Sequence, residues 1–256
     1  MKTGNSSVKI AHQQIQKIKG ATMQKKAVFA MLFALVFMIQ IFAWVTYVPK
    51  PRNEPSQSPI TTKASDSGTV SFTILPPSFA CNMTLKQGWN LISLCAEPSN
   101  NSIASVLSLI DYRYVLQWNA TSQSFDVYSP QSSGNKFTMF DANQSYFVYV
   151  SSAGDSSFGV SGNESGDKNV SMIYGWNTPT YPYQFSSNIT KYLDSIANKY
   201  RYLMKWNATQ QLFMIYSPRQ SEPLFTTIYM GEGQFINVNN AGGATLRYNK
   251  TKLQSG

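Results

Sequence analysis

The chain has 256 residues and a formal net charge of +9, from 21 basic and 12 acidic side chains. Six basic residues lie in the first 26 positions, so the rest of the chain carries 15 bases against 12 acids, a net charge of +3. This small excess, without a basic run or an aromatic-basic stripe, argues against a nucleic-acid partner.

The N-terminal 48 residues predict a membrane anchor. Residues 27–48 carry no charge, and as a helix at about 1.5 Å per residue they reach about 33 Å, enough for a bilayer core of about 30 Å. The basic tail 1–26 places the N-terminus in the cytoplasm and the C-terminal part outside the cell. We interpret the segment as an uncleaved, single-pass signal anchor in the lipid bilayer, because it is longer than a signal-peptide core. Pilin-type processing at Lys19-Gly20-Ala21 is an alternative, in which two lysines would fall inside the mature apolar helix.

Two polar stretches predict connecting segments. Residues 49–79 are rich in Pro, Ser and Thr and predict a semi-extended stalk, because such a composition buries too little apolar surface to fold. Residues 163–168 predict a short linker. The acids near it lack the alternation of ligands found in calcium-binding loops.

One segment of the chain occurs twice. YRYVLQWNATSQSFDVYSP at 112–130 returns as YRYLMKWNATQQLFMIYSP at 200–218, with 12 of 19 aligned residues identical. The similarity continues on both sides, where Gly88-Trp89-Asn90 matches Gly175-Trp176-Asn177. The repeat predicts two tandem β-rich modules, 80–162 and 169–252.

Apolar periodicity predicts the elements of each module in chain order. The first module is predicted to contain a helix over Ile103–Ile110 and strands at Trp89–Leu94, Tyr114–Trp118, Phe125–Tyr128, Phe137–Phe140, Tyr146–Val150 and Ser157–Ser161. In the second module the helix covers Ile189–Ala197 and the last strand Ala244–Tyr248. The predicted fold is mainly β, an antiparallel sheet with one short helix per module, in two tandem repeats behind one transmembrane helix.

The residues that both copies retain are largely aromatic. The pairs are Trp89 and Trp176, Trp118 and Trp206, Phe125 and Phe213, Tyr128 and Tyr216, and Phe147 and Phe235. Large rings dominate the burial of small cores, so we interpret these pairs as core residues. A sugar-binding platform is the alternative, and the unshared rings Tyr181, Tyr183 and Phe185 suit it better.

The two cysteines predict a disulfide. Cys81 and Cys95 flank the Gly88 turn of an expected hairpin, and neither has a counterpart in the second copy. A disulfide is the favoured state of such a pair outside the cytosol.

Asn-x-Ser/Thr triplets predict dense N-glycosylation of the exterior. Nine lie beyond the apolar segment, at Asn82, Asn100, Asn119, Asn143, Asn163, Asn169, Asn188, Asn207 and Asn249. Asn119 and Asn207 occupy the same position of the two copies, at the tip of a predicted hairpin.

The sequence offers no pattern for catalysis, a metal or a cofactor. Its single histidine, His12, lies in the predicted cytoplasmic tail, and no hydrolase or phosphate-loop motif is present. The acids beyond the anchor are scattered and largely unmatched between the copies. We therefore expect no enzyme, no catalytic residue, no metal site and no cofactor.

The order of motifs resembles a known family. GWNLISL, an amphipathic helix, W-N-x5-F-x2-Y-x-P and a closing FVYV strand together resemble the tandem extracellular modules of archaeal, and some bacterial, surface-layer and envelope proteins. The resemblance covers residues 80–250 and implies an anchored surface glycoprotein without a catalytic residue. Thr178-Pro179 departs from the family, which continues there as an apolar strand.

The leading hypothesis is a membrane-anchored, glycosylated structural or interaction protein of the cell surface. Its partners would be other envelope or appendage proteins, including further copies of itself, and the strands Phe137–Phe140 and Phe225–Tyr229 lack sequons and would form contacts. A carbohydrate-binding adhesin with a glycan ligand is the alternative, and an exported hydrolase or its accessory subunit is a third.

Overall fold

The computed structural model describes residues 79–254. The predicted tail 1–26, the transmembrane segment 27–48 and the stalk 49–79, apart from its last residue, lie outside this range. Within residues 79–254, no helix is long and apolar enough to cross a bilayer.

The described chain divides into two stretches with similar elements. The first half, residues 79–162, contains β1 (Phe79–Leu85), β2 (Gly88–Ser93), α1 (Ile103–Val106), β3 (Tyr112–Asn119), β4 (Ser124–Tyr128), β5 (Ser145–Val150) and β6 (Ser156–Gly162). The second half, residues 168–254, contains β7 (Lys168–Met172), β8 (Gly175–Asn177), β9 (Ser187–Asn188), α2 (Ile189–Tyr192), a 3-10 turn (Asp194–Ile196), β10 (Tyr200–Asn207), β11 (Leu212–Tyr216), β12 (Thr227–Ile228), β13 (Gln234–Val238), β14 (Ala244–Tyr248) and α3 (Lys250–Gln254).

The two halves have the same strand order. The first half forms an antiparallel sheet in the order β2-β5-β3-β4, and the second forms one in the order β8-β13-β10-β11. Beside them, β1 pairs with β6 and β7 pairs with β14. The registers also agree, since Leu116 lies opposite Phe147 and Met204 lies opposite Phe235. The prediction of a mainly β, antiparallel fold with short helices is confirmed.

Each half has its own hydrophobic core. Tyr146, Val148 and Val150 of β5 pack into the first core, and Ile236 and Val238 of β13 pack into the second. Outer strands such as β6 and β7 alternate buried and exposed residues, as expected for strands with one face in solvent.

The other face of each main sheet packs against the other half. Phe147 and Phe235 are 2% exposed, and their ring centroids lie 6.1 Å apart. Phe147 also contacts Trp206 and Phe213 of the second half, at centroid distances of 5.4 and 6.0 Å. A layer of aromatic rings therefore separates the two cores. The residues Phe147 to Val150 of β5 are apolar on both faces because both faces are covered.

Three local predictions are corrected by the structure. β1 and β2 do not form a hairpin, because β1 pairs with β6 and β2 pairs with β5. Residues 137–140 form only an isolated bridge, between Met139 and Ser102. Helical structure after Ile103 ends at Val106, where a turn closed by the hydrogen bond from Ile110 N–H to Leu107 O follows.

Cys81 and Cys95 lie at disulfide-bonding distance, with their Cα atoms 6.2 Å apart. Both are buried in the first core. Because β1 and β2 belong to different sheets, the link joins the outer β1–β6 pair to the segment that follows β2, and does not bridge a hairpin.

Candidate functional site: two clefts between the halves

A pair of reciprocal contacts joins the halves. The indole Nε1 of Trp118 donates to the carbonyl of Trp176 at 2.9 Å, and the indole of Trp206 donates to the carbonyl of Trp89 at 2.7 Å. A glutamine at each hairpin tip holds the same two tryptophans. Gln211 accepts from Trp89 N–H and donates to its carbonyl, both at 3.0 Å, and Gln123 contacts Trp176 in the same way, at 2.9 and 3.0 Å.

The repeated Gly-Trp-Asn segment is explained by these contacts. Gly88 and Gly175 have φ angles of 91° and 100°, and a Cβ atom at either would lie within about 3 Å of the clamping glutamine. The following asparagines are buried, and each closes the preceding turn through backbone hydrogen bonds. Asn90 bonds Lys86 and Gly88, and Asn177 bonds Ile173 and Gly175.

Backbone pairing between the halves is also reciprocal. Ser93 N–H donates to Gly231 O and Gly233 N–H to Leu91 O, at 2.9 and 3.0 Å. Likewise, Ser145 N–H donates to Thr178 O and Thr180 N–H to Asn143 O, at 2.8 and 3.0 Å.

Thr178-Pro179, which interrupts the apolar strand expected after Gly-Trp-Asn, lies in this second pairing. Pro179 stands opposite Gln144, while the hydrogen bonds use the carbonyl of Thr178 and the N–H of Thr180. Proline is tolerated there because the pairing uses no N–H at position 179.

A cleft opens beside each clamp. The larger, of about 480 Å³, lies between β1 and β2 of the first half and the β10–β11 hairpin tip of the second. The smaller, of about 260 Å³, lies between β7 and β8 of the second half and the β3–β4 tip of the first. Each cleft therefore has one wall from each half. The volume of the larger cleft lies in the lower part of the range that is usual for small-ligand sites, and the volume of the smaller cleft lies just below that range.

The two clefts differ in charge at one pair of equivalent positions. In the larger cleft, the Lys205 ammonium bonds both carboxylate oxygens of Glu232, at 2.9 and 3.0 Å, and lies 4.8 Å from the ring centre of Phe225. At the smaller cleft the equivalent residues are Gln144, which lines it, and Gln117, which donates to Gln144 at 3.0 Å. An ion pair in one half thus occupies the place of a neutral amide pair in the other.

The nine predicted glycosylation sites all lie at the surface. Asn119 and Asn207 are half-buried, and the other seven, Asn82, Asn100, Asn143, Asn163, Asn169, Asn188 and Asn249, are exposed. Asn82 and Asn207 line the larger cleft, and Asn143 and Asn169 line the smaller.

The proposed sugar platform is contradicted. Tyr181 and Tyr183 are 0% and 1% exposed, and their hydroxyls donate to the carbonyls of Phe185 and Gly166. Burial, with the charges of Asp167 and Glu164, raises the pKa of Tyr183 to about 12. These rings are packed core residues that cannot stack on a sugar.

An ion pair next to the connecting segment also joins the halves. The Lys168 ammonium contacts the Glu97 carboxylate, which also accepts from Ser165 Oγ at 3.1 Å. Partial burial alone would raise the pKa of Glu97, but the hydrogen bond and charge of Lys168, with the bond from Ser165, outweigh it and lower the pKa from 4.5.

Among residues 79–254, no group of three or more His, Cys, Asp or Glu side chains is arranged to hold a metal ion. The carboxylate of the larger cleft, Glu232, is engaged by Lys205, and Asp141 is the carboxylate of the smaller cleft. The arrangement offers amide, hydroxyl and indole groups for binding polar molecules.

Comparison of the chain with family models, with curated proteins and with solved structures finds no match. The site must therefore be interpreted from its own geometry. Sequence reasoning missed Gln123 and Gln211 as functional residues, although both copies of the repeat retain a glutamine there.

Proposed function

We propose that the chain is a membrane-anchored, N-glycosylated structural protein of the cell surface, and that it binds other envelope or appendage proteins. Its two halves would be copies of one module, joined into a single rigid head by the reciprocal clamps. The anchor, the archaeal or bacterial envelope setting and the extracellular location of the head belong to this proposal.

The observation that carries the proposal is that none of the nine sequon asparagines is buried, since seven are exposed and Asn119 and Asn207 are half-buried. Buried acceptors would be closed to a glycosyltransferase, whereas each of these side chains reaches solvent. The Cys81–Cys95 pair also suits an oxidising, exported setting.

We further propose that the head works by binding and not by turnover. Each cleft is lined by one carboxylate, Glu232 in the larger and Asp141 in the smaller, and Glu232 forms an ion pair with Lys205. Hydrolysis of a glycan by carboxylates needs two that converge on one bond.

The two segments expected to form contacts, Phe137–Phe140 and Phe225–Tyr229, have exposed apolar side chains within or beside them. Met139 is 59% exposed, and Leu224 and Tyr229 are 67% and 53% exposed. No sequon asparagine lies within 136–142 or 219–231. Scattered apolar residues are common on surfaces, but apolar loops between glycan sites are suited to protein contacts.

The test replaces these side chains with charged ones in the full chain. We expect Met139→Glu and Leu224→Glu to abolish ordered lattices or filaments in electron micrographs of native membranes, with the thermal unfolding temperature unchanged. Leu109→Glu is the matched control, since Leu109 is 78% exposed on the turn after α1. Dispersed molecules in wild-type membranes would contradict the proposal, as would turnover of an envelope glycan or peptide that one carboxylate substitution abolishes.

Carbohydrate binding as an adhesin remains the second candidate, on a different site from the tyrosines. The larger cleft combines the ring of Trp206 with the exposed amide of Asn82 and the exposed residues Thr84 and Thr209, a mixture that suits sugars. Binding of a defined sugar by isolated molecules, lost on substitution in this cleft, would favour it.

A further inference from the structure

We propose that the two clefts between the halves are occupied by the protein's own N-linked glycans, which bridge one half to the other. This inference rests on the proposed glycosylation of the head. It adds a location and a role for particular glycans, those on Asn82 and Asn207 in the larger cleft and on Asn169 and Asn119 in the smaller.

The first argument is that these four sequons form equivalent pairs. Asn119 and Asn207 end β3 and β10, while Asn82 and Asn169 each lie six residues before the glycine of Gly-Trp-Asn. The hydroxyl residues are matched too, as Thr84 and Ser171. When the first helical residues Ile103 and Ile189 are matched, the other five acceptors have no asparagine at the equivalent position.

The second argument is that the fold does not require Asn82 or Asn169. Both are exposed residues in the interior of strands, where asparagine is disfavoured. Neither side chain has a hydrogen-bond partner that would hold it within the described part of the chain. Only Gly159 faces Asn82 across the ladder, and it leaves the amide accessible. A requirement other than folding is the better explanation for an asparagine at both places.

Asn119 and Asn207 do hold structure. Their Nδ2 atoms donate to Asp126 at 3.4 Å and to Gln210 at 3.0 Å, and each keeps one N–H when it is glycosylated. The turn itself depends on Oδ1, the atom that glycosylation leaves free. Asn207 Oδ1 accepts from the backbone N–H groups of Thr209 and Gln210, at 3.1 and 3.0 Å, and Asn119 Oδ1 does the same for Thr121 and Ser122. The turn therefore keeps its acceptor when Nδ2 carries a sugar.

The attachment points lie on opposite walls. In the larger cleft Asn82 belongs to β1 of the first half and Asn207 to the hairpin tip of the second. In the smaller cleft Asn169 belongs to β7 of the second half, and Asn119 lies between the lining residues Trp118 and Ala120 of the first. A glycan rooted on either wall has the other half within reach.

The attachment chemistry needs a donor that the exporting cell supplies, an isoprenoid-phosphate-linked oligosaccharide. The bond from the anomeric carbon of the sugar to the phosphate oxygen breaks, a bond from that carbon to Nδ2 forms, and the amide proton passes to the released phosphate. The cleft then offers the sugar amides, hydroxyls and the edge of a tryptophan.

The experiment uses the full chain, made in a host that N-glycosylates exported proteins and purified in detergent. Thr84→Ala removes the Asn82 sequon and Thr84→Ser retains it, and Ser171→Ala and Ser171→Thr form the same pair for Asn169. Asn163 is an exposed acceptor that lines neither cleft, so Asn163→Gln is the control for thermal unfolding and the sugar on wild-type Asn163 is the reference for release rates. Glycopeptide mass spectrometry, the rate of enzymatic deglycosylation and thermal unfolding are measured.

We expect sugars on Asn82 and Asn169 that an amidase releases about tenfold more slowly than the sugar on Asn163, because they must first leave the cleft. In denatured protein all three should be released at equal rates. Thr84→Ala should unfold at a lower temperature than Thr84→Ser. That difference should vanish in protein made without glycosylation, whereas it would persist if it came from the 3.0 Å contact between the Thr84 and Ser157 hydroxyls.

Bare Asn82 and Asn169 on a chain glycosylated elsewhere would overturn this inference and leave the proposed function intact. Equal release rates in folded protein would do the same. Nine bare acceptors would instead contradict the glycoprotein part of the proposed function.

Discussion

Three consecutive residues account for much of how the halves join. In Gly-Trp-Asn the glycine admits the clamping glutamine, the tryptophan backbone receives it, and the asparagine closes the turn before it. The tryptophan rings at 118 and 206 also serve through their N–H groups, which donate to these same carbonyls. The repeated aromatic and turn residues are thus retained for contacts between the halves as well as within them.

The glutamine clamp can be tested with a substitution that spares the backbone. Gln211 has a φ of 53°, a left-handed conformation that asparagine tolerates well. Gln211→Asn shortens the side chain, so Trp89 N–H loses its acceptor. We expect the free energy of unfolding, measured in denaturant, to fall by about 1–3 kcal/mol.

Gln210→Asn is the control for this substitution, because Gln210 is the exposed neighbour and contacts only its own hairpin. Gln123→Asn should behave like Gln211→Asn, since its φ is 51° and its contacts are equivalent. Equal stabilities of the Gln210 and Gln211 variants would show that the clamp contributes nothing.

At the scale of elements, the link between Cys81 and Cys95 ties strands that do not pair with each other. It fastens β1, whose partner is β6, to the buried segment after β2. The second half has no such link between β7 and the segment after β8. Its β7–β14 pair is held there instead by packing and hydrogen bonds, with Val170 and Leu246 in its core.

Removal of the disulfide should destabilise the first half. A closed loop of 14 residues is expected to contribute about 3 kcal/mol, mainly by restricting the unfolded chain. We expect reductant to lower the unfolding free energy of the wild type by that order. The Cys81→Ser/Cys95→Ser double variant should not respond to reductant, and an identical response of both proteins would contradict the assignment.

The strands could be predicted because their patterns are local. β2 to β6 lie within two residues of the predicted bounds, since apolar alternation and the polar NATSQ turn mark them directly. The partner of β1 could not be predicted in this way, because β6 lies about seventy residues further on and several strands were available to pair.

The site escaped prediction for a related reason. Burial of the repeated aromatics was expected, but alternation does not distinguish a face that covers its own core from one that meets another half. The run Phe147-Val148-Tyr149-Val150, apolar on both faces, was the available indication. The cleft asparagines were predicted as acceptors, whereas their grouping depends on contacts between residues that lie about 50 to 125 positions apart in the sequence.

At the scale of the whole molecule, the Glu97–Lys168 pair predicts how the head responds to acid. The pKa of Glu97 is lowered in the folded protein, so its contribution is present above pH 4.5 and is lost as the pH falls through the lower folded value. We expect Glu97→Gln to lose less stability than the wild type on acidification below about pH 5.

Unfolding free energies measured across this pH range provide the check. Glu222→Gln is the control, because Glu222 is exposed and its carboxylate has no ion pair within the described residues. If the wild type and Glu97→Gln lose stability in parallel, the pair between the halves does not stabilise the head.

The reciprocal tryptophan hydrogen bonds join residues that are synthesised at different times. As the chain emerges from its N-terminus, Trp118 is made 58 residues before the carbonyl it binds, and Trp89 is made 117 residues before the indole that covers it. The aromatic face of the first half therefore has no partner until the second half has been synthesised. Throughout that interval Asn82 and Asn119, which belong to the first-half walls of two different clefts, face no opposite wall and are open to any enzyme that works on the emerging chain.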